Sequence, residues 1–153
     1  MDINYFMAHA IKEANKASLN NEVPVGAVLV DNLTNKLISS AHNQIIKQKN
    51  PLKHAEILII DYACKKRNSK YLNDTSLFVT LEPCAMCSAA ISEAKIKNVY
   101  FGAYDDKNLS LESMVRIFKT KNYHVPDIYG GINDKECSKI IINFFKKKRS
   151  QIV

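Results

Sequence analysis

The stretch "SLFVTLEPCAMCSAAISEAKIKNVYFGA", from Ser76 to Ala103, decides the fold class. "SLFVT" has the pattern of a short buried strand, "CAMCSAAISEAKI" that of a helix rich in small residues, and "NVYFGA" that of a second strand. A segment of helical length and composition, "HAEILIIDYACKKR" from His54 to Arg67, precedes them. Helix, strand, helix and strand in this order are typical of parallel strands joined by crossover helices. We therefore predict an α/β protein.

The flanking segments extend this pattern at both ends. Apolar residues recur at helical spacing after Asp2, which can cap a first helix, and "VPVGAVLVD" and "KLISSAH" then predict a hairpin with "NLTN" as its turn. Downstream, "SLESMVRIFKT" predicts a helix, "PDIYGG" a short strand or turn, and the last segment a helix capped by Asn133. With no repeat or linker to divide the chain, we predict one domain over residues 1–153, a mixed sheet covered by helices.

Composition and charge narrow the class of protein. The chain has 46% hydrophobic and 24% charged residues, a balance typical of a soluble globular protein. Its apolar runs are too short to span a membrane and "MDINYF" has no signal-peptide pattern, so we expect a cytoplasmic protein with no membrane partner. The formal charge of +7 suits a polyanionic partner such as nucleic acid, although a lysine-rich composition would also produce it.

Four cysteines in such a chain favour packing, metal binding or catalysis over disulfides, because cytosolic thiols are kept reduced. Pro83 can open a helix, and Cys84 and Cys87, three positions apart, then face the same way. The positive end of the helix dipole favours their thiolate forms. Taken alone, this spacing is equally compatible with a metal clamp, a redox pair and a buried helix.

The upstream "HAE" adds a histidine to this pair. His54 and Glu56 also begin a helix after a proline-bearing loop, so the two helix N-termini can meet at one edge of the sheet. His54, Cys84 and Cys87 would then make three zinc ligands, and a catalytic zinc site keeps a fourth position for water. The remaining histidines and cysteines do not stand at a spacing that would make any of them a fourth ligand. They are His9, His42, Cys64, His124 and Cys137.

Glu56 has a predicted role in the same site. A carboxylate two residues from a ligand histidine can reach an activated water and move its proton without ligating the metal. The alternative is an ordinary first-turn carboxylate that the helix dipole favours. H-x-E together with P-C-x-x-C is the signature of the zinc deaminases.

On these motifs the chain resembles the zinc-dependent nucleoside and nucleobase deaminases, and most closely the bacterial tRNA-specific adenosine deaminases. The resemblance covers nearly the whole chain: "EVPVGAVLV", the spacing from Asn43 to "HAEI", "TLEPCAMCSAAI", "KIKNVYFGAYDDK" and the closing "FFKKKR". The "EPCxMC" cluster is also similar to that of guanine deaminases, whereas the upstream and C-terminal elements favour the tRNA enzymes.

This resemblance implies a fold and a reaction. The fold is a three-layer α/β/α sandwich with a mixed five-stranded, cytidine deaminase-like sheet, in a homodimer with one zinc ion per subunit. The reaction is the hydrolytic conversion of adenosine to inosine by zinc-activated water, at the wobble position of an arginine tRNA with an ACG anticodon.

The resemblance also implies a role for individual residues. His54, Cys84 and Cys87 are implied as zinc ligands and Glu56 as the proton shuttle. The implied contacts to the target nucleoside and the tRNA anticodon stem-loop are Asn43, Asp105, Lys107, Phe144 and Phe145, with the basic run "KKKR". The alternative without a binding role is that Asn43 is a turn residue and that the C-terminal segment is an ordinary amphipathic helix.

Departures from the family pattern and two other functions complete the set of hypotheses. Lys53, Tyr104 and "NLSLES" after Lys107 depart from the common pattern, and they concern the RNA-contacting loop rather than the metal.

One alternative function is a small-molecule deaminase acting on guanine, cytosine or a nucleoside. The other is a non-catalytic RNA-binding module that zinc stabilises.

Overall fold

The computed structural model describes residues 1–152, which form five helices and five strands. The helices are Ile3–Leu19 (α1), Ala55–Arg67 (α2), Ala85–Glu93 (α3), Leu111–Thr120 (α4) and Asp134–Ser150 (α5). The strands are Gly26–Asp31 (β1), Leu37–His42 (β2), Thr75–Leu81 (β3), Asn98–Ala103 (β4) and Asp127–Tyr129 (β5). None of these helices combines the length and the apolar character needed to cross a bilayer.

The five strands form one mixed sheet in the order β2-β1-β3-β4-β5. β1 is antiparallel to both of its neighbours, whereas β3, β4 and β5 are parallel to one another. The predicted hairpin and the mixed five-stranded sheet are therefore confirmed. Because β2 and β3 are both antiparallel to β1, the carboxyl ends of β2, β3 and β4 lie at the same edge of the sheet.

Helices cover the sheet on both faces, which confirms the three-layer sandwich. Successive residues of β1 point to opposite faces, and all of them except the last, Asp31, are buried, as expected for a strand between two helical layers. The core beneath α1 and α5 contains Phe6, Met7, Ala10, Ile11, Val28, Val30, Phe78, Ala103 and Cys137. The core beneath α2 and α3, which α4 also joins, includes Leu29, Ile59, Leu77, Val79, Ile91, Phe101 and Leu111.

The helix ends agree with the sequence at α1 and differ at α3 and α5. Asp2 Oδ1 accepts a hydrogen bond from the Tyr5 N–H at 3.0 Å, so the predicted cap of α1 is confirmed. The prediction that α3 continues to Ile96 is wrong, because Lys95 adopts a left-handed backbone (φ +57°) that ends the helix. Asn133 directly precedes α5, but its left-handed backbone (φ +52°) is not that of a capping residue and its side chain forms no capping bond.

Candidate active site and metal centre

The edge formed by the carboxyl ends of β2, β3 and β4 carries the predicted site. Asn43 follows β2, the turn Glu82–Cys84 follows β3, and the loop Tyr104–Asn108 follows β4. Two helices also begin here, since His54 immediately precedes α2 and Cys84 immediately precedes α3. The predicted meeting of the two helix N-termini is confirmed.

The three predicted ligands form one compact cluster. His54 Nδ1 lies 3.8 Å from Cys84 Sγ and 3.6 Å from Cys87 Sγ, and all three ligand atoms lie within 4.8 Å of one another. A tetrahedral zinc ion, with Zn–N near 2.0 Å and Zn–S near 2.3 Å, separates a nitrogen and a sulfur ligand by about 3.6 Å. Within residues 1–152 no fourth histidine, cysteine or carboxylate joins the cluster. The donor set and its spacing therefore fit a zinc ion with a coordination position left for water.

The remaining cysteines and histidines have other surroundings, as the sequence indicated. Cys64 packs against the core beneath α2, and Cys137 is buried in the opposite core. The histidines lie against the Tyr5 ring (His9), the Glu13 carboxylate (His42) and the Ile96 carbonyl (His124). None of these side chains belongs to the metal cluster.

Short-range bonds hold the turn that carries Cys84. The Ser88 N–H donates to the Cys84 carbonyl at 2.8 Å, and the Ser88 hydroxyl lies 3.3 Å from the Pro83 carbonyl. That carbonyl also accepts the Leu111 N–H at 2.9 Å, and Cys84 pairs with Ser110 in an isolated antiparallel bridge. The cysteine turn is thus joined both to α3 and to the start of α4.

The pKa values of the two thiols are shifted in opposite directions. The hydrogen bond with Cys87 and the one with His54 together outweigh burial and lower the pKa of the Cys84 thiol to about 4. The hydrogen bond with Cys84, together with burial, raises the pKa of the Cys87 thiol. The hydrogen bond with Cys84 likewise raises the pKa of His54. Metal binding must therefore displace protons from this cluster, because zinc binds thiolate and neutral imidazole.

Glu56 lies on the first turn of α2 and is almost completely buried, with 3% of its surface exposed. Burial raises the pKa of its carboxyl group. Its Oε2 atom has no hydrogen-bond partner among residues 1–152, which is uncommon for a buried oxygen. A buried carboxylate with an unused oxygen two residues from His54 suits a group that exchanges a proton with a ligand.

Asn43 connects the end of β2 with the start of α2. Its side chain is buried, and Oδ1 accepts a hydrogen bond from the Ala55 N–H at 2.9 Å. The Asn43 N–H donates to the Val25 carbonyl at 3.1 Å. Since the oxygen is directed to the helix, the amide NH₂ group is the end of the side chain that can bind a ligand. Asn43 therefore does more than close a turn.

Three of the five residues predicted to contact the nucleoside and the RNA line a groove of about 730 Å³ between the loop Tyr104–Asn108 and α5. Asp105 and Lys107 form the loop side of this groove, and Phe145 lies on the helix side. Two basic residues, Lys148 and Arg149, also line it. Phe144 does not line the groove, and its ring is buried beneath Lys148.

Sequence reasoning missed several residues at this edge. The groove also contains Ile141 and Ile142, which the family resemblance did not indicate, and Tyr104, which the sequence had indicated only as a departure in this loop. Glu82 is buried in the turn before Pro83, and the Glu13 carboxylate lies 2.9 Å from Nδ1 of His42, the residue that precedes Asn43 in the chain. The sequence carried only ordinary signals for these residues, which were carboxylates at Glu13 and Glu82 and apolar residues of the last helix at Ile141 and Ile142, with nothing local to indicate their partners.

Comparison with known proteins gives matches along the whole chain. Residues 1–103 match the model of the cytidine and deoxycytidylate deaminase zinc-binding region. The tRNA-specific adenosine deaminase of Rickettsia typhi is 46% identical over 147 residues, which are 95% of this chain and 99% of that protein. The tRNA-specific adenosine deaminase of Aquifex aeolicus is 41% identical over 155 aligned positions and covers both chains completely.

A solved structure gives the same result in three dimensions. It comes from a study of A-to-I editing by tRNA:A34 deaminases at the wobble position of transfer RNA. Its TM-score to this chain is 0.83 at 41% sequence identity, over 89% of this chain and 98% of that structure. The cytidine deaminase-like fold is therefore confirmed.

Proposed function

The chain belongs to the cytidine and deoxycytidylate deaminase family, and from that premise we propose that it converts adenosine to inosine at the wobble position of tRNA. The observation that carries the proposal is the three-ligand cluster beside the buried Glu56. The named relatives match the chain over nearly its full length, which supports the tRNA substrate. An arginine tRNA with an ACG anticodon is the substrate that we propose in particular.

The metal-binding part of the proposal assigns His54, Cys84 and Cys87 as ligands of one zinc ion. Zinc held there supplies a Lewis acid that makes water nucleophilic near neutral pH. The positive end of α3 supports the thiolate form of Cys84, which begins that helix. Cys87 is fully buried, whereas His54 and Cys84 are partly exposed, so the cluster lies at the border between the core and the solvent.

Glu56 is the residue that moves protons in the proposed reaction. Its carboxylate takes a proton from the water whose oxygen bonds to C6 of adenine, and delivers this proton to the ring nitrogen. It then takes the second proton from the hydroxyl group now on C6 and gives it to the amino group, so the C6–N bond breaks, ammonia leaves and the oxygen remains as the carbonyl of inosine. Burial raises the pKa of Glu56, and a carboxylate with a raised pKa is a stronger proton acceptor.

Asn43 and the groove would hold the RNA. The amide NH₂ of Asn43 can donate a hydrogen bond to an acceptor on the adenosine, because the side-chain oxygen is held by Ala55. Phe145 offers an exposed ring for stacking, and Lys148 and Arg149 offer positive charge for phosphates. Asp105 and Lys107 lie on the opposite wall.

The first test replaces the proposed proton carrier. We expect Glu56→Ala to retain one zinc ion per chain and to lose inosine formation by at least about a hundredfold, since general acid–base catalysis contributes that much. The matched control is Asp61→Asn, which removes a carboxylate charge from an exposed position of the same helix. Zinc content by elemental analysis and inosine by sequencing of the product RNA measure the two effects.

The substrate is tested with the zinc-loaded protein and an unmodified arginine tRNA bearing an ACG anticodon. We expect inosine at the wobble position and no ammonia from free guanine, cytosine or adenosine. Ammonia release from a free base without RNA would instead support a small-molecule deaminase. RNA binding that Glu56→Ala leaves intact, with no turnover by the unaltered protein, would support a non-catalytic RNA-binding module.

The assembly proposed from the family resemblance is a homodimer of single-domain chains. Apolar and aromatic side chains are exposed on the helical layer that contains α2 and α4, among them Tyr62 and Ile117. Such residues are enriched where subunits meet. Sedimentation equilibrium should give twice the chain mass of 17.3 kDa, and a monomer at micromolar concentration would contradict the homodimer.

A further inference from the structure

The carboxylate of Glu82 is buried at the junction of the metal centre and the groove. Glu82 is 4% exposed and stands directly before Pro83 and Cys84, in the turn that carries a proposed zinc ligand. It is neither a ligand nor a proton carrier in the reaction proposed above. A buried charge is costly unless hydrogen bonds compensate it, so its partners indicate what it does.

Both oxygens of Glu82 accept backbone hydrogen bonds from one downstream segment. Oε2 accepts the N–H of Asp105 at 3.2 Å, and Oε1 accepts the N–H of Glu112 at 3.2 Å. The Glu82 N–H itself donates to the Ala103 carbonyl at 2.8 Å, which fixes the backbone of the turn against β4. One side chain thus holds the segment between β4 and α4 near its beginning, at Asp105, and just beyond its end, at Glu112 in the first turn of α4.

The bond to Asp105 extends into the wall of the groove. Asp105 Oδ1 accepts the Lys107 N–H at 3.1 Å, and the two carboxylate oxygens of Asp105 accept the side-chain NH₂ of Asn108 at 3.2 and 2.9 Å. Asp105, Lys107 and Asn108 all line the groove. The conformation of this wall therefore depends on where Glu82 holds Asp105.

A carboxylate is the side chain that this arrangement requires. Two backbone N–H groups approach from different directions, and an ionised carboxyl group can accept both without presenting a donor. A glutamine at position 82 would accept one of them and turn its own NH₂ group toward the other. An alanine would leave both N–H groups without this partner, which is unfavourable for each one that stays buried.

We propose that Glu82 is a positioning residue that holds the RNA-facing loop at a set distance from the metal-bearing turn. It thereby determines how well the groove receives RNA while the base lies at the metal. This role rests on the proposed function, since the groove is taken as the RNA site. It predicts that Glu82 affects the KM for tRNA far more than kcat.

The test compares Glu82→Gln and Glu82→Ala with Glu112→Gln in the zinc-loaded protein. Glu112→Gln removes one exposed negative charge at the start of α4 but retains the backbone N–H that Glu82 binds. Hydrogen exchange followed by NMR reports the amides of Asp105 and Glu112 directly. We expect both to exchange on the order of tenfold faster in Glu82→Ala, one of them in Glu82→Gln, and neither in Glu112→Gln.

Kinetics and metal content complete the test. We expect both Glu82 variants to keep one zinc ion per chain and a kcat within about twofold of wild type, while the KM for tRNA rises about fivefold or more. If Glu82→Ala does not fold, Glu82→Gln still provides the exchange and kinetic measurements, because it keeps one of the two bonds.

Several results would overturn the role of Glu82. These are unchanged exchange at Asp105 and Glu112, equal acceleration at Ser88 in α3, whose N–H donates to the Cys84 carbonyl, and a lower kcat with an unchanged KM. Exchange is measured without RNA, so it is independent of the reaction. Absence of inosine formation by the unaltered protein would instead overturn the proposed function, and with it the RNA part of the role of Glu82.

Discussion

The metal centre and the groove share one edge of the sheet, but they differ in burial. Cys87 is fully buried and Glu56 is 3% exposed, whereas Tyr104 and Phe145 in the groove are 46% and 43% exposed. The metal centre is built from the first turns of two helices that pack on the core. The groove is built from a loop and the outer side of α5.

This difference indicates how the proposed reaction is divided. The groups proposed to act on the base are held by the core, so we expect their geometry to vary little between the free and the bound protein. The groups proposed to contact the RNA lie at the surface and are fixed by a few hydrogen bonds, such as those of Asp105. Changes at the metal centre should alter zinc content and kcat, and changes in the groove should alter KM.

The largest expected effect comes from removing a ligand. Cys87→Ser should reduce bound zinc from one ion per chain to near zero and lower inosine formation on the order of a thousandfold, because a neutral serine hydroxyl is a poor zinc ligand. Cys64→Ser is the matched control, since Cys64 is partly buried and lies outside the cluster. Full zinc content in Cys87→Ser would contradict the assignment of the buried Cys87 as a zinc ligand.

Two adjacent aromatic residues provide the next test. Phe144 is 7% exposed, and Phe144→Ala should lower the free energy of unfolding by about 3 kcal/mol, as is usual for a buried phenylalanine. Phe145→Ala should cost less than about 1 kcal/mol but raise the KM for tRNA at least about fivefold, because an exposed ring can stack on a base. Urea unfolding and steady-state kinetics distinguish the two.

Two outcomes with this pair would contradict the assignment of Phe144 to the core and Phe145 to the groove. A stable Phe144→Ala protein with a raised KM would place Phe144 in the RNA site, as the family resemblance implies. A Phe145→Ala protein with an unchanged KM would show that the groove does not receive the RNA at this position.

The smallest expected effect is the contribution of the Glu13–His42 pair to the free energy of unfolding, and its dependence on pH. Burial by itself raises the pKa of Glu13, but hydrogen bonds with His42 and Lys16 outweigh it and lower the pKa below its ordinary value of 4.5. A carboxylate with a lowered pKa stabilises the folded state above the unfolded pKa, and this contribution disappears as the pH falls through the folded pKa.

Glu13→Gln should therefore be less stable than wild type at pH 7, by less than about 1 kcal/mol because the pair is partly solvated. The difference should shrink as the pH falls below 4.5. Urea unfolding at pH 7, 5 and 3.5 measures it, and Lys12→Gln, an exposed change on the same helix, is the control. A difference that grows toward acid pH would contradict the lowered pKa.

Much of the fold was predictable because local patterns determine elements. The buried strands and the helices of the Ser76–Ala103 stretch follow from runs of apolar and small residues, and these strands lie where they were expected. The end of α3 was missed because nothing in "SEAKIK" requires Lys95 to adopt a left-handed backbone. That conformation is selected by the need to turn into β4.

The predicted metal cluster was accessible for a similar reason. The spacing of Cys84 and Cys87 within one helical turn is a local property, and "HAE" supplied a third donor of suitable chemistry. Glu82 could not be predicted, although it lies in the quoted "TLEPC". Its partners, Asp105 and Glu112, are 23 and 30 residues away, and their N–H groups carry no sequence signal.

By itself the sequence determined the elements, the chemistry of the metal ligands and the family, because spacing along a helix or strand decides which side chains share a face. Only the tertiary structure decided that His54 lies 3.6 Å from Cys87, that Phe145 rather than Phe144 lines the groove, and that Glu82 holds the loop. The physical reason is that strand order and helix packing bring together residues tens of positions apart. Those contacts depend on burial of the whole core rather than on any local pattern.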